Sequence, residues 1–187
     1  WAGYHRGWWN GVDSSCLTTL HDFATKHPSW VQFWEVVCAV FSPRGFRIVA
    51  AIAIVVVLIQ RNLRAALFLI LTVEISGVVI QVAKGLADRP RPVTALSPVS
   101  STSFPSGHAL GAMVGVLALL VVALPMINAT AQTVLVAAGV LIVLAVGFGR
   151  VALNVHYPSD VVAGWALGFA YVVVWARLLR LPPPLHR

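Results

Sequence analysis

Two histidines, one aspartate and three cations are spaced along this chain in a way that suits phosphoryl chemistry. They fall in three groups: Lys84 with Arg91-Pro92; Pro105-Ser106-Gly107-His108; and Arg150, His156 and Asp160. Phosphoryl oxygens need fixed positive charge, and an arginine offers them a planar fork of donors. The N–H groups at a helix N-terminus favour an anion as well. Ser106 is placed to open a helix and to add a hydroxyl donor, and Gly107 lets the backbone come close to a ligand. No Gly-Lys-Ser/Thr loop is present, so a nucleoside triphosphate is not the obvious ligand.

Two histidines allow a division of labour, one attacking phosphorus and the other protonating the leaving oxygen. An attacking imidazole must present a bare ring nitrogen. A carboxylate on the opposite nitrogen fixes that tautomer. Asp160 follows His156 across the turn at Pro158 and falls in the first turn of the next helix, a favourable place for a carboxylate.

The elements that must position these residues are membrane helices. Of 187 residues, 59% are hydrophobic and 10% charged. So few charges cannot coat a water-exposed surface, which excludes a soluble globular domain. The net charge of +7 does not mark a nucleic-acid binder, because most basic residues end long apolar runs, where they anchor helices at the interface. Cys16 and Cys38 are too few for a disulfide framework, although one bridge is allowed, and no Cys/His cluster has zinc spacing.

Residues 1–42 are rich in aromatics. Trp1, Tyr4, Trp8 and Trp9 fit an interfacial belt, and Trp30, Phe33, Trp34, Val37, Cys38 and Phe41 recur at helical spacing. This segment reads as amphipathic and extracytoplasmic, lying on the membrane surface or against the bundle. Residues 43–181 read as a transmembrane catalytic bundle and residues 182–187 as a basic cytoplasmic tail. The fold class is therefore all-α, a polytopic bundle. Five spans are predicted: Pro43 to Gln60, Ala65 to Lys84, Ser106 to Ile127, a fourth ending near Asn154, and Ser159 to Leu179. A sixth span before Trp1 is expected in a fuller chain. Gly107, Gly111 and Gly115, and Gly164 with Gly168, are placed for close helix approach. Asp88 and Arg89 read as a solvated loop pair, and Glu74, in mid-span, as facing the bundle, where it either braces a neighbouring helix or lines a pocket, the brace being favoured.

The Arg61/Arg64 turn and the Arg177/Arg180/Arg187 tail fall on one face, which positive-inside reasoning makes cytoplasmic. The three chemistry-bearing groups then share the opposite face. The expected place is the cell membrane, with the site on its extracytoplasmic side.

These residues resemble the type 2 phosphatidic acid phosphatase superfamily, and within it the membrane lipid phosphatases. The family signature is Lys, six residues, Arg-Pro; Pro-Ser-Gly-His; and Ser-Arg, five residues, His, three residues, Asp. Here it reads KGLADRPRP from Lys84, PSGH from Pro105 and GRVALNVHYPSD from Gly149. Gly149 replaces the usual serine. The resemblance implies that His156 is the nucleophile, Asp160 orients it and His108 is the general acid. Lys84, Arg91, Ser106, Gly107 and Arg150 would hold the phosphoryl group. It also implies no metal and no cofactor, a lipid phosphate as substrate, and the bilayer as partner. Phosphatidylglycerol phosphate, phosphatidic acid and polyprenyl diphosphate all fit. A lipid phosphotransferase on the same fold shares the phosphohistidine step and stays open. A lipid or anion transporter has no need of two histidines and an orienting carboxylate.

Overall fold

The computed structural model describes Gly7 and residues 9–181; the Trp1, Tyr4 and Trp8 of the proposed belt and the basic tail lie outside the described residues. The described residues hold helices and no strands. In chain order these are α1 (Asn10–Ala24), α2 (Pro28–Val40), α3 (Pro43–Ile59), α4 (Leu63–Leu69), a wide π turn (Ile70–Glu74), α5 (Ser76–Ala87), α6 (Gly107–Ala123), a short 3₁₀ turn (Leu124–Met126), α7 (Ala129–Ala152) and α8 (Pro158–Leu178).

Five helical stretches are long and apolar enough to cross a membrane: Pro28–Ile59, Leu63–Ala87, Gly107–Met126, Ala129–Ala152 and Pro158–Leu178. The chain is thus a multi-pass membrane protein built as an all-helical bundle, as its apolar runs predict. The starts of the spans follow from local chemistry. Ser42, Asn62, Ser106 and Asn128 each accept a hydrogen bond from a backbone N–H three residues on. These side chains satisfy donors that the first helical turn leaves unpaired. Pro28, Pro43 and Pro158 sit at first helical positions, where a missing N–H costs nothing.

The first helical stretch is longer than its apolar run suggests because it takes in α2, which a bend at Phe41-Ser42 separates from α3, Ser42 being extended at ψ 161°. α2 packs on the last turns of α7, with Trp34 edge-on to Phe148 at 5.0 Å. α1 lies across the ends of α7 and α8. Both helices therefore cap the bundle at the site end.

α6 is the hub, packed against α3, α7 and α8. Glycines permit this crowding. A Cβ on Gly111 would come within 2.7 Å of Pro43, and one on Gly164 within 2.7 Å of the Ser106 carbonyl oxygen. Gly115 faces Phe46 and Gly168 the Leu110 carbonyl. In lipid, where hydrocarbon competes with every apolar contact, close backbone approach is what holds helices together.

The second span is not a single α-helix. At the π turn Ile75 N–H donates to Ile70 O, five residues back. The carbonyl of Leu71 accepts the Tyr171 hydroxyl of α8. Glu74 ends this turn half-buried, and its Oε1 has no hydrogen-bond partner among the described residues. Cys16 is exposed, Cys38 buried, and both thiols are free.

Candidate active site

Three segments meet at one end of the bundle: the loop 88–106, the first turn of α6, and the turn between α7 and α8. The turn is built by sequence. α7 stops at Ala152, and Asn154 takes a left-handed conformation (φ 55°) that asparagine tolerates better than most residues. The chain doubles back, so that the N–H groups of Val155 and His156 both donate to Arg150 O, at 3.2 and 3.3 Å. Thr94 Oγ1 donates to Asn154 Oδ1 at 2.9 Å, and Leu96 N–H to Leu153 O at 3.0 Å, which pins the loop to the turn.

Tyr157 caps α8 and Pro158 is its first residue, which puts Asp160 at the third helical position. From there its carboxylate reaches back. Oδ2 accepts the Tyr157 N–H at 3.0 Å and lies 3.4 Å from His156 Nδ1. The three-residue gap between histidine and aspartate is thus the spacing of a capping carboxylate, used to hold an imidazole. Ser103 Oγ donates to the same oxygen. Both side chains are buried, His156 at 1% and Asp160 at 0% exposure.

With Nδ1–H directed at Asp160, Nε2 is the bare nitrogen. It lies 3.0 Å from Arg91 Nη1, a donor aimed at its lone pair. Burial pushes the His156 pKa down to about 3; the Asp160 hydrogen bond opposes this, and the charges of Arg91 and Arg150 reinforce it. The imidazole is neutral near pH 7.

Arg91 meets this ring directly, and the charge of Arg150 acts on it. Arg91 also donates to the carbonyl oxygens of Val155 and Ser101. Burial, and then Arg150, lower its pKa to about 10, which leaves it charged. Lys84 is buried and donates to Thr102 O and, at 3.4 Å, to Ser101 Oγ. Arg150 is buried, its Nε has no hydrogen-bond partner among the described residues, and its side chain lies against Cys38. Arg150 and His108 line a cavity of about 300 Å³ with Glu35, Cys38, Ser97 and Leu153.

Ser106 is fully buried. Its Oγ accepts the Ala109 N–H, and its own N–H donates to Asp160 O at 3.0 Å. Among the described residues, the backbone donors that this helix start leaves open are therefore those of Gly107 and His108. A Cβ on Gly107 would meet only Ile80 Cγ1, at 3.4 Å, so protein packing does not demand a glycine there. At Gly149 packing does: a Cβ would lie 2.8 Å from both Cys38 Sγ and the Trp34 ring.

All eight residues singled out from sequence gather at this end of the bundle. Two others were misread or missed. Arg89 is not a solvated loop partner of Asp88. It is buried, its Nη1 is 2.6 Å from Asp160 Oδ1 and its Nη2 is 2.9 Å from Asp13 Oδ2. Only Asp88 is exposed, ending α5 with a left-handed conformation. Glu35 reaches the cavity from α2, held by the Ser97 hydroxyl. Both partnerships join distant parts of the chain, and no local pattern announces them.

The chain has relatives among known proteins. Over 92 residues the chain is 44% identical to phosphatidylglycerophosphatase B of Bacillus subtilis, covering 47% of this chain and 45% of that one. Over 116 residues it is 29% identical to undecaprenyl-diphosphatase of Sulfolobus acidocaldarius, covering 58% and 52%. The chain thus spans about half the length of these curated relatives. The fold matches the crystal structure of a transmembrane PAP2 type phosphatidylglycerolphosphate phosphatase from Bacillus subtilis, with a TM-score of 0.72 over 90% of this chain and 86% of that one, at 24% identity. The family model of the PAP2 superfamily matches residues 65–181, well over half of the sequence, and the chain is a member of that superfamily.

Proposed function

We propose that this chain is a lipid phosphatase that works through a phosphohistidine. The observation that carries the reading is the buried His156, held at Nδ1 by Asp160 and presenting Nε2 to Arg91, with the charge of Arg150 also acting on the ring.

In the first step Nε2 of His156 attacks phosphorus and the bond from phosphorus to the leaving oxygen breaks. His108 gives that oxygen a proton. Asp160 stabilises the ring as it gains positive charge. In the second step water attacks phosphorus, His108 takes its proton, and the N–P bond breaks to release phosphate. Lys84, Arg91, Arg150 and the N–H groups of Gly107 and His108 stabilise the charge on the equatorial oxygens. This supply of fixed charge fits a reaction that runs without a metal or cofactor.

The substrate class is a phosphate or diphosphate on a membrane-embedded tail: phosphatidylglycerol phosphate, phosphatidic acid or polyprenyl diphosphate. A wholly apolar cavity of about 340 Å³ between α6, α7 and α8 supports it. Its lining starts at Met113, five residues from His108 or about 7.5 Å along the helix. The site sits on the extracytoplasmic side, with α1 and α2 closing that end of the catalytic bundle.

The test uses purified protein in detergent with each of the three lipids. Phosphate is released, and a rapid quench with labelled substrate traps an acid-labile, alkali-stable phosphoprotein that is absent in His156→Ala. Turnover in His156→Ala comparable to the parent refutes the assignment. Transfer to an added alcohol in place of water identifies a phosphotransferase.

A further inference from the structure

We infer that Asp13 and Arg89 are positioning residues for catalysis: a buried carboxylate–guanidinium clamp that fixes the rotation of Asp160, so that α1, outside the family-matched segment, completes the site. The inference rests on His156 as the attacking group, as proposed above.

The geometry is continuous. Arg89 Nη1 donates to Asp160 Oδ1 and, at 2.8 Å, to Ser159 Oγ, while Nη2 donates to Asp13 Oδ2. Asp13 in turn accepts the Ser159 N–H at Oδ1 (3.0 Å) and the Ser159 hydroxyl at Oδ2 (2.6 Å). The Tyr157 ring lies under the guanidinium, 3.8 Å from its centroid. All three charged side chains are at most 6% exposed. Asp13 lies outside residues 65–181, the family-matched segment.

A carboxylate that must orient a histidine needs both oxygens constrained. Oδ2 faces His156, Tyr157 N–H and Ser103; Oδ1 has Arg89. If Oδ1 loses its partner, the carboxylate can turn about its own axis, and the 3.4 Å contact to Nδ1 is no longer enforced. Arg89 alone would place a full positive charge beside Asp160 and weaken its pull on the imidazole. Asp13 offsets that charge. It also forms the second jaw that a bidentate guanidinium requires. Burial on its own would lower the Arg89 pKa, but Asp13 and Asp160 together raise it, so the clamp stays ionised.

The clamp has an electrostatic signature that a mere tether lacks. The charged or titratable groups facing His156 are Asp160 from α8, Arg91 from the loop, Arg150 from α7 and His108 from α6. Asp13→Asn leaves the Arg89 charge less compensated, so protonation of His156 becomes harder and the acid limb of kcat moves to lower pH. Arg89→Gln removes the positive charge, and the same limb moves to higher pH.

The experiment measures kcat, KM and the acid limb at saturating lipid for Asp13→Asn, Asp13→Glu, Arg89→Gln and the double variant Asp13→Asn/Arg89→Gln, each checked as monodisperse in detergent. The expected result is a fall in kcat of about 10–100-fold for Asp13→Asn, with KM within about 3-fold and partial recovery in Asp13→Glu. The acid limbs move in opposite directions, and the double variant is no slower than Arg89→Gln, because Asp13 acts through Arg89. Ser159→Ala, a milder cut at the same clamp, gives the same kind of kcat loss if the charge variants do not fold. Unchanged kcat in well-folded Asp13→Asn, or in Ser159→Ala where it must stand in, overturns the inference. So does a loss of kcat with both acid limbs unmoved. His156→Ala runs alongside: activity surviving there refutes the nucleophile, whereas activity lost there but intact in Asp13→Asn refutes only the clamp.

Discussion

The backbone N–H of Ser106 donates to the carbonyl oxygen of Asp160 at 3.0 Å. That single bond joins the cap of α6 to the first turn of α8, and so fixes the helix start carrying His108 against the turn carrying His156. Gly164, one turn further along α8, has room only for a hydrogen at the same contact, since a Cβ would press on Ser106 O. The relative placement of the two histidines therefore depends on backbone contacts as well as on side chains. Substitutions at the interface of α6 and α8 will disturb chemistry without touching a reactive group.

Gly107→Ala separates the two reasons for a glycine at a helix start. Among the described residues, the neighbour a Cβ would meet is Ile80, at ordinary contact distance. Alanine is also the better helix former by about 1 kcal/mol. The variant should fold with an unchanged or higher thermal midpoint. The methyl would stand where phosphoryl oxygens approach the N–H groups, and loss of one such donor costs about 100–1,000-fold in kcat. A fall of at least 10-fold is expected in phosphate release. Full activity would remove Gly107 from the phosphate site.

Much of this site was legible because its spacing is local chemistry. A carboxylate four residues after His156, beyond a proline, is placed as a helix cap, and Pro105-Ser106-Gly107 is a helix start. The apolar runs gave five spans because lipid demands internally bonded helices of that length. What stayed hidden were partners supplied across the fold. Nothing around Arg89 reveals that Asp13, 76 positions away, will meet it. Nor does the sequence show that α2 carries Glu35 to the cavity, or that the second span contains a π turn. Such features depend on how helices cross, which periodicity does not encode.

Gly149 illustrates the same point as a test. It departs from the serine of the family signature, and α2 explains why: Trp34 and Cys38 occupy the space of a side chain. Gly149→Ser should destabilise the protein by about 1–3 kcal/mol through overpacking, read as a lower thermal midpoint in detergent. Adding Cys38→Ala and Trp34→Leu should restore much of it, because the three positions share one contact. An undiminished midpoint in the single variant would show that α2 yields easily there.

His156 makes stability depend on pH. Its pKa in the fold is about 3, against an ordinary imidazole value near 6.5 in the unfolded chain. Between those values the unfolded state binds more protons, so stability rises with pH and is lost as pH falls below about 6.5 towards 3. One proton sets a limiting slope of about 1.4 kcal/mol per pH unit. The check is the thermal midpoint at pH 7, 6 and 5 for the parent and for His156→Gln. The parent should lose more than the variant. Parallel curves would mean that other groups carry the acid sensitivity.

Sidedness follows from parity and can be read chemically. Three spans, Leu63–Ala87, Gly107–Met126 and Ala129–Ala152, separate the turn at residues 60–62 from the turn that carries His156. These two turns must lie on opposite faces of the membrane. On the positive-inside rule Arg61 and Arg64 would put the first in the cytoplasm, and the expectation to be tested is that the site opens outward. Val93, fully exposed in the loop beside the site, and Gln60, exposed at the other end, are suitable reporters. In a background with Cys16→Ser and Cys38→Ala, an impermeant thiol reagent added to intact cells should label Val93→Cys. It should spare Gln60→Cys until the membrane is opened. The reverse pattern would put His156 on the cytoplasmic side, and the enzyme would then act on lipid phosphates of the inner leaflet.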